Sequence, residues 1–303
     1  MSRINFLRKN MKIAIILKTY HALGRFSDLI SDYDKIALTY DEYYTYGLGK
    51  GLHEYLDIIT EEKRSYANAR NWVELAAGTG ESTRRLWTIA RNFNLRSYAA
   101  VDLSSGMLKA NENKMKIECP DCSSTMFFYK SSAFDYLEKR APVSIDALFC
   151  AWGICYMNTK SIRKQLARTL GTGAYVAFIE NRSDTLKDIN DIFLRILRER
   201  PFMLRSVPKL NLPRCSASLA RSLFPSGLQI KTLKDSSSIH TFTSASELTH
   251  YILGSSVAAG YIDAIKPKLR GSFLSEFEEI VESTGAENLP IVHKYAIATG
   301  EVG

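Results

Sequence analysis

Residues 72–86 read WVELAAGTGESTRRL, and this stretch decides the fold. A short apolar run (Trp72, Val73, Leu75) enters a turn that contains Gly78 and Gly80. A capping-type run of Glu, Ser and Thr at 81–83 then predicts the start of a helix. Glycines let the backbone approach a ligand closely, and a helix N-terminus offers unpaired N–H groups. The order strand, glycine turn, helix therefore predicts a ligand site.

A second strand is predicted over residues 98–102, which read YAAVD. Asp102 ends this strand, where a carboxylate in a doubly wound fold accepts both hydroxyls of a ribose. A dinucleotide fingerprint needs three glycines as G-x-G-x-x-G. Here Ala76 stands at the first position, and Glu81 stands where a pyrophosphate would dock. The residues therefore argue against a dinucleotide.

The same stretch resembles the first motif of the class I S-adenosylmethionine-dependent methyltransferases, an acid followed by spaced glycines, with Ala76 in place of the first glycine. Residues 101–108 (VDLSSGML) resemble the second-strand motif of the small-molecule members. Later segments are similar to the third, fourth, fifth and last strands of that family, in the expected order: 127–137, 145–157, 174–181 and 293–299. The resemblance covers roughly residues 33–300.

The resemblance implies that S-adenosylmethionine is the cofactor. Asp102 would hold the ribose hydroxyls, and Tyr40 would lie over the cofactor. Ser132 stands where the family often has an acid that contacts adenine, and Asp135 follows it, so the adenine contact stays open between them. The cofactor-binding residues implied are Tyr40, Glu74, Ala76, Gly78, Gly80, Asp102, Leu103, Met107, Ser132, Ala133, Ala151 and Trp152.

Methyl transfer needs alignment, exclusion of water and, for neutral acceptors, removal of a proton. Aromatic faces attract a sulfonium, and the segments before the first strand and after the fourth are aromatic. The residues predicted to contact the acceptor are Tyr43, Tyr44, Trp152, Tyr156 and Asn181. The candidate catalytic residues are Tyr40, His240 and His250, because histidine titrates near physiological pH and both histidines lie in the segment expected to roof the acceptor.

Alternating strands and helices predict an α/β fold. The expected architecture is a Rossmann-like, doubly wound, mainly parallel seven-stranded sheet with N-terminal helices and a cap over the acceptor site. Residues 1–27 are interpreted as an N-terminal leader or helix, and 28–303 as the methyltransferase domain, with 184–265 contributing the cap. A strand is also predicted over 228–233.

Composition and charge limit the classes of partner that the sequence predicts. The net charge is +8, but the basic residues are scattered, which argues against a nucleic-acid face. No apolar run is long enough to span a membrane. The five cysteines include Cys119-Pro-Asp-Cys122 without a second pair, so no metal is expected, and the cytoplasm is the predicted compartment.

Three functions remain open from the sequence. The first is methyl transfer to the oxygen, nitrogen or carbon of a small molecule. The second is another use of S-adenosylmethionine, such as aminopropyl or aminobutanoyl transfer or a cyclisation. The third is a non-catalytic binding protein that keeps the fold. The sequence does not indicate the oligomeric state.

Overall fold

The computed structural model describes residues 3–27, 33–34, 36–37, 40–42, 48–254 and 262–303. The longer helices are α1 (Arg3–Ala22), α2 (Gly49–Glu61), α3 (Glu81–Ala90), α4 (Ser105–Glu118), α5 (Ala133–Glu138), α6 (Thr159–Thr169), α7 (Lys187–Glu199), α8 (Ser216–Leu223), α9 (Ala245–Gly254) and α10 (Arg270–Thr284). The strands are β1 (Asn71–Leu75), β2 (Ser97–Asp102), β3 (Met126–Lys130), β4 (Ile145–Ala151), β5 (Leu170–Asn181), β6 (Leu228–His240) and β7 (Ile291–Val302).

The strands form a seven-stranded sheet in the order β3-β2-β1-β4-β5-β7-β6. The five strands from β3 to β5 pair in parallel, and β7 runs antiparallel to β5. The chain moves outward from β1 to β3 and then returns to place β4 on the other side of β1. Such a reversal opens a crevice at the carboxyl ends of the central strands, where doubly wound folds bind ligands. The predicted fold class is confirmed.

Each face of the sheet packs against its own apolar layer because side chains alternate along a strand. Trp72 is fully buried and packs against the rings of Tyr66 and Phe149, at centroid distances of 5.4 and 4.9 Å. The neighbouring Val73 faces the opposite side and joins an aliphatic cluster that includes Leu148. The apolar run around β1 is therefore buried on both faces, as parallel strands require.

The chain divides into two compact units. The sheet unit comprises 48–185, 211–238 and 293–303, and it contains the glycine turn and Asp102. The helical unit comprises 1–47, 186–210 and 239–292. The predicted cap over 184–265 therefore draws on both units, and its role as a cap stays a prediction.

The N-terminal segment is part of the helical unit. In α1, Ile13 is buried in the core that contains Phe193 and Phe273. The Tyr20 hydroxyl donates to the Leu204 carbonyl at 3.4 Å, and Phe26 forms a β-bridge with Val207. Residues Arg3–Ala22 are helical, and whether residues 1–27 are a leader or a helix of the domain stays a prediction. None of the described helices has the length and apolar character that would let it cross a membrane.

Candidate functional site

The glycine turn joins β1 to α3 through three residues with positive φ: Ala76 (55°), Gly78 (55°) and Gly80 (94°). A Cβ on Gly78 would meet nothing within 4 Å, so open space adjoins the backbone there. A Cβ on Gly80 would lie 2.4 Å from Oδ1 of Asn111, so this glycine is required by packing as well as by its φ. Gly78 is thus the position where a ligand can approach the main chain.

Asp102 organises this turn from the end of β2. Its Oδ2 accepts from the Gly78 N–H at 2.8 Å, and its Oδ1 accepts from the Ser104 N–H at 2.8 Å. A carboxylate has about four acceptor positions, so one carboxylate can hold main-chain N–H groups and ligand hydroxyls together. The adjacent Leu103 is 44% exposed and supplies an apolar surface beside the carboxylate.

Glu74 lies beneath the turn, fully buried in β1. Its carboxylate accepts from the Ser82 hydroxyl at 2.5 Å and from the Tyr98 hydroxyl at 2.8 Å. Burial raises the pKa of Glu74 to about 7, although these hydrogen bonds oppose the shift. Glu74 thus ties β1 to β2 and α3, a structural role that the sequence did not indicate. Its predicted contact with the cofactor stays a prediction.

The capping role predicted for residues 81–83 is wrong. Gly80 is the N-cap of α3, and no side chain caps the helix. Ser82 donates instead to the buried Glu74, because a carboxylate without water needs donors from the protein. Glu81 turns to Arg84 and Arg85, at 3.0 and 2.8 Å, which balance its charge.

Asn111 is a site residue that the motifs did not reveal. It is fully buried in α4, and its Nδ2 donates to the Thr83 hydroxyl at 2.8 Å and to the Ala77 carbonyl at 3.4 Å. It shares a helix face with Met107, Leu108 and Met115, so an asparagine on an otherwise apolar stripe was the available signal. Met107 is buried on this same helix face.

The segment after β4 lies against the glycine turn. Trp152 has a φ of 53°, and its main-chain N–H donates to the Ile179 carbonyl at 2.9 Å. A Cβ on Gly51 of α2 would lie 3.0 Å from Cζ2 of Trp152, so the helix backbone packs closely on the indole. A Cβ on Gly153 would lie 2.2 Å from Cβ of Ala76. Ala76 and Trp152 are therefore near neighbours, while Ala151 ends β4.

The end of β5 carries a buried carboxyl and a polar side chain. Glu180 accepts from the N–H groups of Cys155 and Asn181, both at 2.8 Å, and burial raises the pKa of Glu180 to about 7. It thereby fixes the turn that carries Tyr156, which is 39% exposed. Within the described residues, the buried Oδ1 of Asn181 has no hydrogen-bond partner.

Ser132 is the N-cap of α5 after β3. Its hydroxyl accepts from the Asp135 N–H at 3.0 Å and donates to Oδ2 of Asp135 at 2.6 Å. The two residues left open for the adenine contact are thus hydrogen-bonded to each other, with Ala133 between them at the first position of the helix. Which of them contacts adenine stays a prediction.

Three predicted residues belong to the helical unit. Tyr40 is half-buried, with its ring 6.3 Å from that of Tyr33. His240 packs against Phe242, and burial lowers the pKa of the imidazole. His250 is exposed and contacts the Ser246 carbonyl of its own helix at 3.1 Å. Their catalytic or cofactor roles stay predictions.

Two further predicted positions, Tyr43 and Tyr44, lie outside the described residues. Over the part of the chain that the structure describes, no group of three or more His, Cys, Asp or Glu residues is arranged to hold a metal ion. Burial raises the thiol pKa of both Cys119 and Cys122.

Comparison with solved structures finds proteins of similar fold at low sequence identity. The YcgJ protein of Bacillus subtilis matches with a TM-score of 0.50 at 12% identity, over 82% of this chain and 98% of that chain. A second match is geranyl diphosphate C-methyltransferase from Streptomyces coelicolor A3(2), solved with Mg²⁺, geranyl diphosphate and S-adenosyl-L-homocysteine. Its TM-score is 0.47 at 12% identity, over 83% of this chain and 80% of that chain. The [4+2]-cyclase SpnF matches with a TM-score of 0.49 at 16% identity, over 82% of this chain and 80% of that chain.

No protein-family model and no curated protein matches the sequence. The chain has the Rossmann-like fold that the resemblance to the class I S-adenosylmethionine-dependent methyltransferases implies, and this expectation of the fold is confirmed.

Proposed function

We propose that this protein is an enzyme that transfers the methyl group of S-adenosylmethionine to a small-molecule acceptor. The observation that carries the proposal is the arrangement of Asp102. Its carboxylate closes the glycine turn through the Gly78 N–H, orders the start of α4 through the Ser104 N–H, and lies at the end of β2, where doubly wound folds hold a ribose. A nucleoside needs this combination of hydroxyl acceptors and accessible backbone.

The residues of the turn fit the cofactor in charge and in shape. Open space beside Gly78 admits a ligand to the backbone, and the exposed Leu103 suits the flat face of adenine. The turn offers no cation for a pyrophosphate, because Arg84 and Arg85 are paired with Glu81. S-adenosylmethionine has no phosphate, so this lack favours it over a dinucleotide.

The acceptor would lie at the ends of β4 and β5. S-adenosylmethionine supplies an electrophilic methyl group, and the sulfur keeps the bonding pair on transfer. Trp152 carries an aromatic side chain suited to a sulfonium, and Asn181, whose buried Oδ1 has no hydrogen-bond partner among the described residues, would accept from a hydroxyl or amine of the methyl acceptor. The atom methylated is an oxygen, nitrogen or carbon of a small molecule, and the cytoplasm is the proposed compartment.

Calorimetric titration with S-adenosyl-L-homocysteine, with NAD as the control ligand, tests the cofactor. We expect binding of the former alone. Asp102→Ala should weaken it by more than tenfold, because two charge-assisted hydrogen bonds are lost. Leu103→Ala should weaken it severalfold, and Asp57→Ala, an exposed aspartate on α2, should not change it.

Asp102 also holds the turn, so circular dichroism must show that the Asp102→Ala protein is folded. Leu103 is exposed, and its truncation keeps the test valid if the other variant unfolds. Unchanged affinity in both folded variants contradicts the proposed ribose and adenine positions.

The products distinguish the remaining functions. In a screen of small-molecule acceptors, methyl transfer releases S-adenosylhomocysteine, whereas aminopropyl transfer releases methylthioadenosine. Binding of the cofactor without any product in the screen would favour a non-catalytic binding protein.

A further inference from the structure

A second pocket lies at the opposite end of the sheet from the glycine turn. Its volume is about 380 Å³, within the range of small-molecule sites. It adjoins the first residues of β1, β2 and β4, including Asn71, Ser97 and Ile145. The turn follows the other end of β1, which is five residues long, or roughly 15 Å at the usual rise of a strand. The amino-end pocket, as we name it, is therefore separate from the proposed cofactor site.

The pocket exists because small side chains meet a short helix. Asn71 pairs with Ser97 and Val73 pairs with Ala99, so these four residues lie on the same face of β1 and β2. Ser97 and Ala99 fill little space, and α5, which packs over this face, ends after only six residues at Glu138. The pocket lies at the amino end of this face, and its lining includes the largely buried Val73, Ala99 and Tyr136.

Two cations line the rim. The Arg140 guanidinium lies 4.6 Å from the ring centroid of Tyr136 and 5.6 Å from that of Tyr129. Its Nε is buried without a hydrogen-bond partner. Among the described residues, no carboxylate pairs with Arg140 or with the neighbouring Lys139. A guanidinium that is held in place by two rings and lacks a counter-ion is a ready partner for an anion.

The neighbouring carboxylate of Asp146 is engaged by other donors. Oδ2 of Asp146 already accepts from the N–H groups of Arg70 and Asn71 and from Nδ2 of Asn71. Arg168 adds a further positive charge, because its guanidinium donates to main-chain carbonyls, including that of Arg140 at 2.6 Å, and not to a carboxylate.

We propose that the amino-end pocket binds a small organic anion, a carboxylate or a phosphate monoester. The anionic group pairs with Arg140 and Lys139, above a floor to which the buried Val73, Ala99 and Tyr136 contribute. The site is independent of methyl transfer and gives the protein a second ligand.

The test uses the full chain and three probes of similar shape. Benzoate and phenyl phosphate carry the two anionic groups, and benzamide is the neutral control. We expect saturable calorimetric binding of at least one anion, with benzamide at least tenfold weaker. Arg140→Gln should lower the affinity for the anion about tenfold, because a charge-assisted hydrogen bond is lost. Comparison of the two anions shows which group the pocket prefers.

Matched variants separate the pocket from general charge effects. Lys139→Gln should lower the affinity for the anion severalfold. Lys160→Gln, at an exposed lysine near the start of α6, should leave that affinity unchanged. Lys139 is exposed, so its variant reports even if Arg140→Gln fails to fold. Saturating S-adenosylhomocysteine should not displace the anion.

Four results overturn the proposal. The first is the absence of saturable binding by either anion, and the second is equal binding by benzamide. The third is an affinity that is unchanged in folded Arg140→Gln and Lys139→Gln proteins. Displacement by S-adenosylhomocysteine would instead assign the anion to the cofactor site, and the proposal would fall.

Discussion

At the scale of single residues, Glu74 supports the glycine turn and makes the stability of the protein depend on pH. Its carboxylate is buried and accepts from Ser82 and Tyr98, and burial raises its pKa to about 7. In the unfolded chain, a glutamate titrates near 4.3. Folding therefore favours the protonated form, and ionisation opposes folding. The stabilisation is complete below the unfolded pKa and is lost as the pH rises through the folded pKa.

We expect this carboxyl to reduce the free energy of unfolding by about 3 kcal/mol as the pH rises from about 4.5 to 7. Glu74→Gln should remove that contribution, because the Ser82 and Tyr98 hydroxyls can rotate to suit an amide. Urea unfolding at intervals between pH 4.5 and 8 measures the difference. A variant whose pH dependence parallels that of the wild type would falsify the assignment; Glu138→Gln, at an exposed glutamate, is the control.

At the scale of elements, the turns after β1 and β4 fit together through one missing side chain. Ala76 has a φ of 55°, a left-handed conformation that is unfavourable for any residue with a Cβ. Its Cβ occupies the space that a side chain at Gly153 would need, at 2.2 Å. The other neighbours of such a side chain, Sγ of Cys150 and Cε of Met157, lie at 3.4 and 3.6 Å, which are ordinary contacts.

A double-mutant cycle tests this fit. Gly153→Ala should lower the free energy of unfolding by about 2 kcal/mol through overpacking, since both Cβ atoms are fixed to the backbone. Ala76→Gly should raise it by about 0.5–1 kcal/mol by relieving the left-handed alanine. In the double variant, the penalty at position 153 should largely disappear, with a coupling of about 1–2 kcal/mol. Strict additivity in urea unfolding would show that the two turns do not meet there.

The extent of the elements also depended on pairing. The sequence predicts a strand over 228–233, but β6 continues to His240 through the polar run 235–238. Lys50 donates to the Ser237 carbonyl at 3.0 Å, and Ser236 donates to Glu54 at 3.3 Å. These partners come from α2, so no local pattern could reveal them.

At the scale of the whole molecule, Glu62 connects distant parts of the sheet unit. Its carboxylate accepts from the hydroxyls of Thr232 (2.6 Å), Thr299 (3.1 Å) and Tyr175 (2.8 Å). These donors belong to β6, β7 and β5, whereas Glu62 follows α2. One side chain thus ties the antiparallel edge of the sheet to the helix that covers it.

Glu62→Ala should lower the free energy of unfolding of the molecule by about 2–4 kcal/mol, because three hydroxyls lose a charged acceptor. Glu61→Ala, at the adjacent exposed glutamate, should change it by less than about 0.5 kcal/mol. Chemical denaturation of the two variants side by side is the measurement. Equal stability of the two would mean that this junction contributes nothing.

The sequence by itself determined the order of strands and helices, the glycine turn and the position of Asp102. These are local properties: period, glycine spacing and a carboxylate at a strand end are visible within about 20 residues. They were enough to predict the doubly wound sheet, and the residues at the carboxyl ends of its strands, Gly78, Asp102, Ser132, Trp152 and Asn181, are found there.

Only the tertiary structure decided which polar side chains became buried and what they hold. Glu74, Asn111, Glu180 and Glu62 have partners up to 237 positions away, and Ser82 left its predicted capping role for one of them. The same holds for the amino-end pocket, which arises where small strand side chains lie beyond the end of a short helix. Burial and long-range contact set these roles, because a polar group removed from water must find its partner wherever the fold provides one.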